Sequence, residues 1–226
     1  MLKCISSMAT RQVLAQMAAA FEAASGCTVE IESLGGVDAL RRVQSGEAFD
    51  AVFLAADAID QLIAQGRIVP GSKRDLMRSP VAVAVRAGAP QPHIGSEQAL
   101  REAVLACPHI GYSTGPSGVA LMALFERWGI ASAVRERLVQ ARPGVPVGTL
   151  LARGEVSLGF QQLSELMNLE GIDLVGTLPE AVQIVTTFSA GLCAGSAQAD
   201  AVHRMLAFMA GPQALDAKRR HGMEPI

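Results

Sequence analysis

Aromatic residues are scarce in this sequence, at 4% of 226 residues, whereas half of the residues are apolar. This balance argues against an aromatic-rich β-sandwich and favours α/β layers packed with small aliphatic side chains. A basic stripe is also missing, because 19 basic and 21 acidic residues are scattered along the chain. Nucleic-acid binding is therefore not expected. No apolar run is long enough to cross a bilayer, so membrane insertion is not expected either.

The N-terminus lacks the apolar core and small-residue cleavage site of a secretory signal. As written, the sequence indicates a cytoplasmic protein; a periplasmic location is expected if a leader has been removed. The four cysteines form no C-x-x-C pair and the four histidines are dispersed. No metal site, cofactor or disulfide framework is therefore predicted, and the cysteines are expected to be buried free thiols.

The most informative stretch is Ser113-Thr114-Gly115-Pro116-Ser117-Gly118, which lies between an apolar run ending at Tyr112 and a helical pattern over 119–128. It predicts a strand, a small polar turn and a helix start. A helix start carries partial positive charge and free N–H groups, so it can hold an anion without a cationic side chain. Three hydroxyls exceed what one helix cap needs, which indicates ligand contact by Ser113, Thr114, Ser117 and Gly118.

A second hydroxyl-rich helix start follows the first predicted strand, and its residues Ser6, Ser7 and Met8 are candidates for ligand binding. Serine is also an ordinary N-cap residue, so both interpretations stay open here. Two such helix starts suggest a cleft that grips a small anion from two sides. Further ligand-binding candidates are a glycine turn, a cation beside a proline-rich loop and a polar pair at the end of an apolar strand, namely Gly35, Gly36, Arg142, Gln161 and Gln162. The glycines could equally form a simple turn, and the arginine could be a surface charge.

The order of apolar and helical segments predicts a doubly wound α/β fold in two lobes. Three βα units precede a strand predicted at 79–86, and a second set of βα units follows it. An extended run at 182–191 returns the chain, so that residues 1–79 with 190–226 form one lobe and residues 80–189 the other. The two crossing strands would act as the hinge. Ligands in such sheets bind beyond the carboxyl ends of strands, where both hydroxyl turns fall.

Taken in order, these segments resemble the molybdate-type periplasmic solute-binding proteins of ABC transporters, which have the type II periplasmic-binding-protein fold. The resemblance covers nearly the whole chain and depends on order and spacing rather than on one motif. It includes Ser6-Ser7-Met8, segment 36–57, Gly115-Pro116-Ser117-Gly118, segment 154–160 and the ending 208–223. It implies two lobes, each a mostly parallel sheet flanked by helices, a bound anion, a monomeric state and, in a transport role, an ABC permease as partner.

The sequence departs from the family pattern at the expected ligand positions. The family's second serine falls on Gly36, which leaves only a backbone N–H. The alanine of its Pro-Ala-Gly turn is Ser117, which adds a hydroxyl, and its Val-Tyr pair is Gln161-Gln162. A tetrahedral metal oxyanion is held by a small ring of hydroxyls and N–H groups. These changes therefore argue against molybdate and favour a larger, flatter anion such as a carboxylate.

One enzyme of similar fold, aconitate isomerase, supplies the alternative interpretation: a cofactor-free isomerase of an unsaturated tricarboxylate. Moving a double bond requires one base to lift a proton and return it elsewhere, and donors to stabilise the charge that develops. No acid–base pair stands out; the candidates are Glu165, Asp57 and Tyr112. The leading prediction is therefore a solute-binding protein that clamps a small anion between two lobes and closes by hinge motion.

Overall fold

The computed structural model describes all 226 residues, which form ten strands and ten α-helices. The strands are β1 (Leu2–Ser7), β2 (Val29–Leu34), β3 (Ala51–Ala55), β4 (Arg74–Arg86), β5 (Ile110–Tyr112), β6 (Leu138–Gln140), β7 (Leu158–Gln162), β8 (Ile172–Thr177), β9 (Val185–Leu192) and β10 (Glu224–Pro225). The helices are α1 (Arg11–Ser25), α2 (Gly36–Gln44), α3 (Ala56–Ala64), α4 (Glu97–Ala106), α5 (Pro116–Arg127), α6 (Ala131–Val134), α7 (Val147–Ala152), α8 (Leu163–Leu166), α9 (Ala199–Ala210) and α10 (Leu215–Arg220). Short 3-10 turns occupy Met8–Thr10, Arg135–Arg137, Glu180–Val182 and Pro212–Ala214.

The chain divides into two compact units, residues 1–79 with 187–226 and residues 80–186. In the first unit, β1 pairs in parallel with β2 and β3, and β3 pairs antiparallel with β9. Every residue of β3 is buried, and its side chains alternate between two cores. Ala51 and Phe53 join the core against α1 and α9, while Val52 and Leu54 join the core against α2 and α3. Burial on both faces explains why this strand is wholly apolar.

The second unit repeats this plan. β5 pairs in parallel with β6 and β7, and β4 pairs antiparallel with β7 and β8. Along β4, Val81, Val83 and Val85 face the core with α4 and α5, whereas Ala82 and Ala84 face the core with α7. The predicted parallel strands are therefore present in both units, and antiparallel strands complete each sheet.

Two strands run through the boundaries between the units. β4 spans Arg74–Arg86 and begins five residues earlier than predicted, and β9 spans Val185–Leu192. The hinge role of these strands stays a prediction.

Of the cysteines, Cys4, Cys107 and Cys193 are buried free thiols, but the prediction of burial is wrong for Cys27, which is half-buried after the end of α1. None of the helices combines the length and apolar character needed to cross a membrane.

Candidate functional site

The parallel strands of the first unit bring three helix-starting turns to one edge of its sheet. Ser6 lies opposite both Ser33 of β2 and Phe53 of β3. The carboxyl ends of the three strands therefore coincide, as expected for parallel βα units. We call this place the β1 edge; of the predicted ligand residues it holds Ser6, Ser7, Met8, Gly35 and Gly36.

The two serines at the end of β1 differ in what their hydroxyls do. Ser6 is completely buried, and its Oγ lies 2.7 Å from Ser33 Oγ and donates to the Ser7 carbonyl at 3.3 Å. Its hydroxyl thus ties the ends of β1 and β2 together. Ser7 occupies the N-cap position of the following helical turn, yet its side chain caps no backbone N–H. Its Oγ has only a long contact of 3.4 Å with Thr10 Oγ1, so the ordinary capping explanation does not account for Ser7.

The glycine pair adjoins Ser7. Gly35 is the N-cap of α2, Gly36 is its first residue, and no side chain caps this helix either. A Cβ placed on Gly36 would lie 3.7 Å from Ser7 Cβ, an ordinary contact. The N–H groups of the first helical turn have no intrahelical partner. The β1 edge therefore gathers one hydroxyl and two uncapped helix starts within a short distance.

The second unit has a matching edge. Gly111 of β5 lies opposite Val139 of β6 and Gly159 of β7, all three strands running in parallel. The turns after these strands consequently share one edge, which we call the β7 edge. It holds the other predicted ligand residues, Ser113, Thr114, Ser117, Gly118, Arg142, Gln161 and Gln162, together with Glu165.

The turn after β5 is tightly built. Ser113 Oγ and Ser117 Oγ lie 3.0 Å apart, with Ser117 buried in the first turn of α5. Gly115 is the N-cap of this helix, and because it lacks a side chain it cannot cap a backbone N–H. A Cβ on Gly118 would stand 1.9 Å from the Ser113 carbonyl oxygen, so only glycine fits there. Thr114 is half-buried in the same turn.

The two glutamines are the last residues of β7, and both are buried. Gln161 Oε1 accepts from the Val147 N–H at 2.8 Å, and Gln161 Nε2 donates to Glu165 Oε1 at 2.8 Å. Gln162 Nε2 donates to Thr186 Oγ1 at 2.6 Å, while Gln162 Oε1 is buried without a partner. The sequence did not identify Val147 and Thr186, because these contacts join segments far apart in the chain.

Three titratable side chains were candidates for a base, and they differ in setting. Glu165 lies in α8, is half-buried, and has its pKa raised to about 7 by burial, opposed by the hydrogen bond from Gln161. Asp57 is the second residue of α3, whose N-cap is Ala55, and it lies at the β1 edge, in the other unit from Glu165. Tyr112 is half-buried at the end of β5, and Arg142 is exposed after β6.

The donors at both edges are mostly neutral. Hydroxyls, amides and helix-start N–H groups suit an anion, and Arg142 adds a cation beside the β7 edge. No three His, Cys, Asp or Glu side chains cluster so as to hold a metal ion.

Comparisons of the whole chain point in the same direction. Residues 2–224 match the model of a family described as bacterial extracellular solute-binding protein. An aconitate isomerase from a Pseudomonas species is 34% identical over 233 residues, which cover 100% of this chain and 88% of that protein.

Among solved structures, the periplasmic molybdate-binding protein of Azotobacter vinelandii is similar with a TM-score of 0.82 and 21% identity, covering 99% of this chain and 98% of that one. The sulfate-binding protein SubI of Mycobacterium tuberculosis is similar with a TM-score of 0.81 and 18% identity, covering 100% and 86%. At these identities the likeness establishes the fold, which is the predicted α/β fold of type II periplasmic binding proteins.

Proposed function

The chain belongs to the family of bacterial extracellular solute-binding proteins, and from this premise we propose that it binds a small organic anion through both edges described above. The observation that carries this proposal is the pair of uncapped helix starts, at Ser7 and Gly115, each with a serine hydroxyl at the carboxyl end of parallel strands. Neutral donors of this kind bind anions by hydrogen bonds and helix-end partial charge. In a transport role the partner would be an ABC permease.

An organic acid that retains a proton fits the β7 edge better than a fully deprotonated oxyanion. This edge contains two acceptors, Glu165 and the unpartnered Oε1 of Gln162. A buried acceptor without a donor costs about 1–3 kcal/mol. Sulfate and molybdate bring no proton to satisfy such acceptors, whereas an organic acid can bring a hydroxyl or a protonated carboxyl group. The relative that is 34% identical acts, by its name, on aconitate, an organic acid that can bring a proton only when one of its three carboxyl groups is protonated.

Calorimetric titration with sulfate, molybdate, phosphate, cis-aconitate and trans-aconitate tests this proposal. We expect the tightest binding for a tricarboxylate. S7A and S117A should each lower its affinity about tenfold, because each removes one hydrogen bond to a charged group, worth roughly 1.4 kcal/mol.

S96A is the matched control. Ser96 caps α4 by accepting from the Ala99 N–H and belongs to neither edge, so this variant should lose some stability and keep its affinity. Tighter binding of molybdate or sulfate than of any carboxylate would contradict the proposed ligand class. Unchanged affinity in both S7A and S117A would contradict the proposed site.

A second candidate function is isomerisation of an unsaturated tricarboxylate. Two observations favour it: the identity to an aconitate isomerase along the whole chain, and a half-buried carboxyl group at the β7 edge. This candidate assumes the same proposed binding, so the two candidates differ only in whether the bound acid reacts.

A further inference from the structure

Glu165 stands at the edge where the ligand is proposed to bind. α8 begins directly after β7, so Glu165 follows the buried Gln162 by three residues. β5, β6 and β7 are parallel, which brings the turns carrying Ser117 and Arg142 to this same edge. The carboxyl group therefore lies beside donors suited to the carboxylates of a bound acid.

The orientation of this carboxyl group is fixed by a chain of two hydrogen bonds. The Val147 N–H, at the start of α7, donates to Gln161 Oε1 at 2.8 Å. Because that contact requires the amide oxygen, Gln161 must present Nε2 on its other side, where it donates to Glu165 Oε1 at 2.8 Å. The Val147 backbone N–H therefore orients the Gln161 amide, and this amide in turn orients the Glu165 carboxyl group.

The setting of Glu165 suits proton transfer near neutral pH. Burial raises its pKa to about 7, and the hydrogen bond from Gln161 is the only opposing influence; no neighbouring charge contributes. A base works best when its pKa lies near the working pH. Of the other two candidates, Asp57 accepts from the N–H of Ala58 in the other unit, and Tyr112 is a phenol rather than a carboxyl group.

We propose that Glu165 is the base that moves a proton along the three-carbon unit of an unsaturated tricarboxylate, with Gln161 as its positioning residue. This inference rests on the proposed binding of such an acid. The Glu165 carboxylate takes a proton from the methylene carbon, and the C–H electron pair forms a new double bond to the central carbon while the pair of the old double bond moves to the far carbon. The resulting carboxylic acid returns the proton to the far carbon, where a new C–H bond forms. One C–H bond breaks and one forms, so no oxidant or cofactor is consumed.

The first experiment follows trans-aconitate by ultraviolet absorbance and by proton NMR in D2O. The wild-type protein should interconvert the isomers, and solvent deuterium should enter the methylene group, because the proton on Glu165 exchanges with water between some turnovers. E165Q should lower kcat at least 1,000-fold while its affinity for trans-aconitate stays within about threefold. E165D, with a shorter side chain, should retain a small part of kcat.

The pH dependence separates positioning from simple structural support. The rate should rise with pH through a midpoint near 7, as Glu165 becomes the carboxylate. The hydrogen bond from Gln161 lowers the pKa of Glu165, so Q161A should move this midpoint to higher pH as well as reduce kcat. S96A should keep both the rate and the midpoint.

The outcomes distinguish this inference from the binding proposal. If no tricarboxylate binds, the binding proposal fails for this ligand class and the inference fails with it. If trans-aconitate binds but the wild-type protein neither isomerises it nor exchanges its methylene protons, binding stands and the inference is overturned. Full activity in E165Q would overturn the assignment of Glu165. Should E165Q not fold, a wild-type rate without a midpoint near pH 7 would overturn it instead.

Discussion

Lys218 has no exposed surface, and its ammonium group has no hydrogen-bond partner. It lies in α10, where burial alone lowers its pKa. A buried charge without a partner destabilises the folded state. We therefore expect K218M, which keeps the long side chain and removes the charge, to raise the free energy of unfolding by roughly 1–3 kcal/mol, measured by urea denaturation at pH 7.

The sign of the pH dependence follows from the same observation. Because the pKa of Lys218 is lower in the folded state, the unfolded chain binds the proton more readily. Protonation therefore lowers the free energy of unfolding of the wild-type protein at neutral pH. This penalty disappears as the pH rises through the ordinary lysine pKa, about 10.4. The advantage of K218M should therefore shrink as the pH rises towards about 10.4, and it should be absent above that pH. R219M removes an exposed charge from the same helix and should change stability little. An equal gain in both variants would contradict the argument.

The hydrogen-bond roles of some individual side chains could not be predicted from the sequence. Ser6 and Ser7 look alike in the sequence, but one hydroxyl joins β1 to β2 and the other does not, and this depends on the position of Ser33. The roles of Gln161 and Gln162 depend in the same way on Val147 and Thr186. Side-chain partners that are distant in the chain leave no local signal.

At the scale of elements, α7 lies almost directly on the backbone of β5 and β7. A Cβ on Gly159 would stand 2.7 Å from Leu151 Cδ1 and 2.9 Å from Val147 Cγ1. Gly111, opposite it on β5, is similarly crowded, since a Cβ there would stand 3.0 Å from Val147 Cγ1 of α7. These two glycines let α7 approach the sheet closely enough for the Val147 N–H to reach Gln161.

G159A should consequently destabilise the protein and disturb the β7 edge. We expect a loss of about 1–3 kcal/mol in the free energy of unfolding, because the core has no room for the added methyl group. Displacement of α7 should also weaken trans-aconitate binding in calorimetric titration. The control is G195A, since a Cβ at Gly195 meets nothing within 4 Å. Normal stability in G159A would show that α7 is not held by this close contact.

The elements themselves could largely be predicted from the sequence, because their signals are local. The wholly apolar run of β3 and the glycine that ends α1 both define boundaries without reference to the rest of the chain. The end of β7 could not be predicted in this way. Its last two residues are glutamines, which favour strands little by themselves and are held there by pairing with Val81 and Ala82.

For the whole molecule, the alternation of strands and helices predicted two sets of parallel βα units, and both are present. This follows because parallel strands need helical crossovers, which the sequence shows as alternating patterns. β10 was not predicted, because a strand of two residues is too short to show periodicity in the sequence. It forms by pairing with Met77 and Arg78.

The last prediction concerns how the two units respond to a ligand. β4 and β9 each cross from one unit to the other, so a rotation about these strands is the expected hinge motion. If one tricarboxylate is bound by both units, small-angle X-ray scattering should show a smaller radius of gyration at saturating trans-aconitate. S7A changes one unit and S117A the other, so at a trans-aconitate concentration below their Kd each should lose the contraction, whereas S96A should keep it. An unchanged radius of gyration in the wild-type protein at saturating trans-aconitate would contradict binding of one ligand by both units.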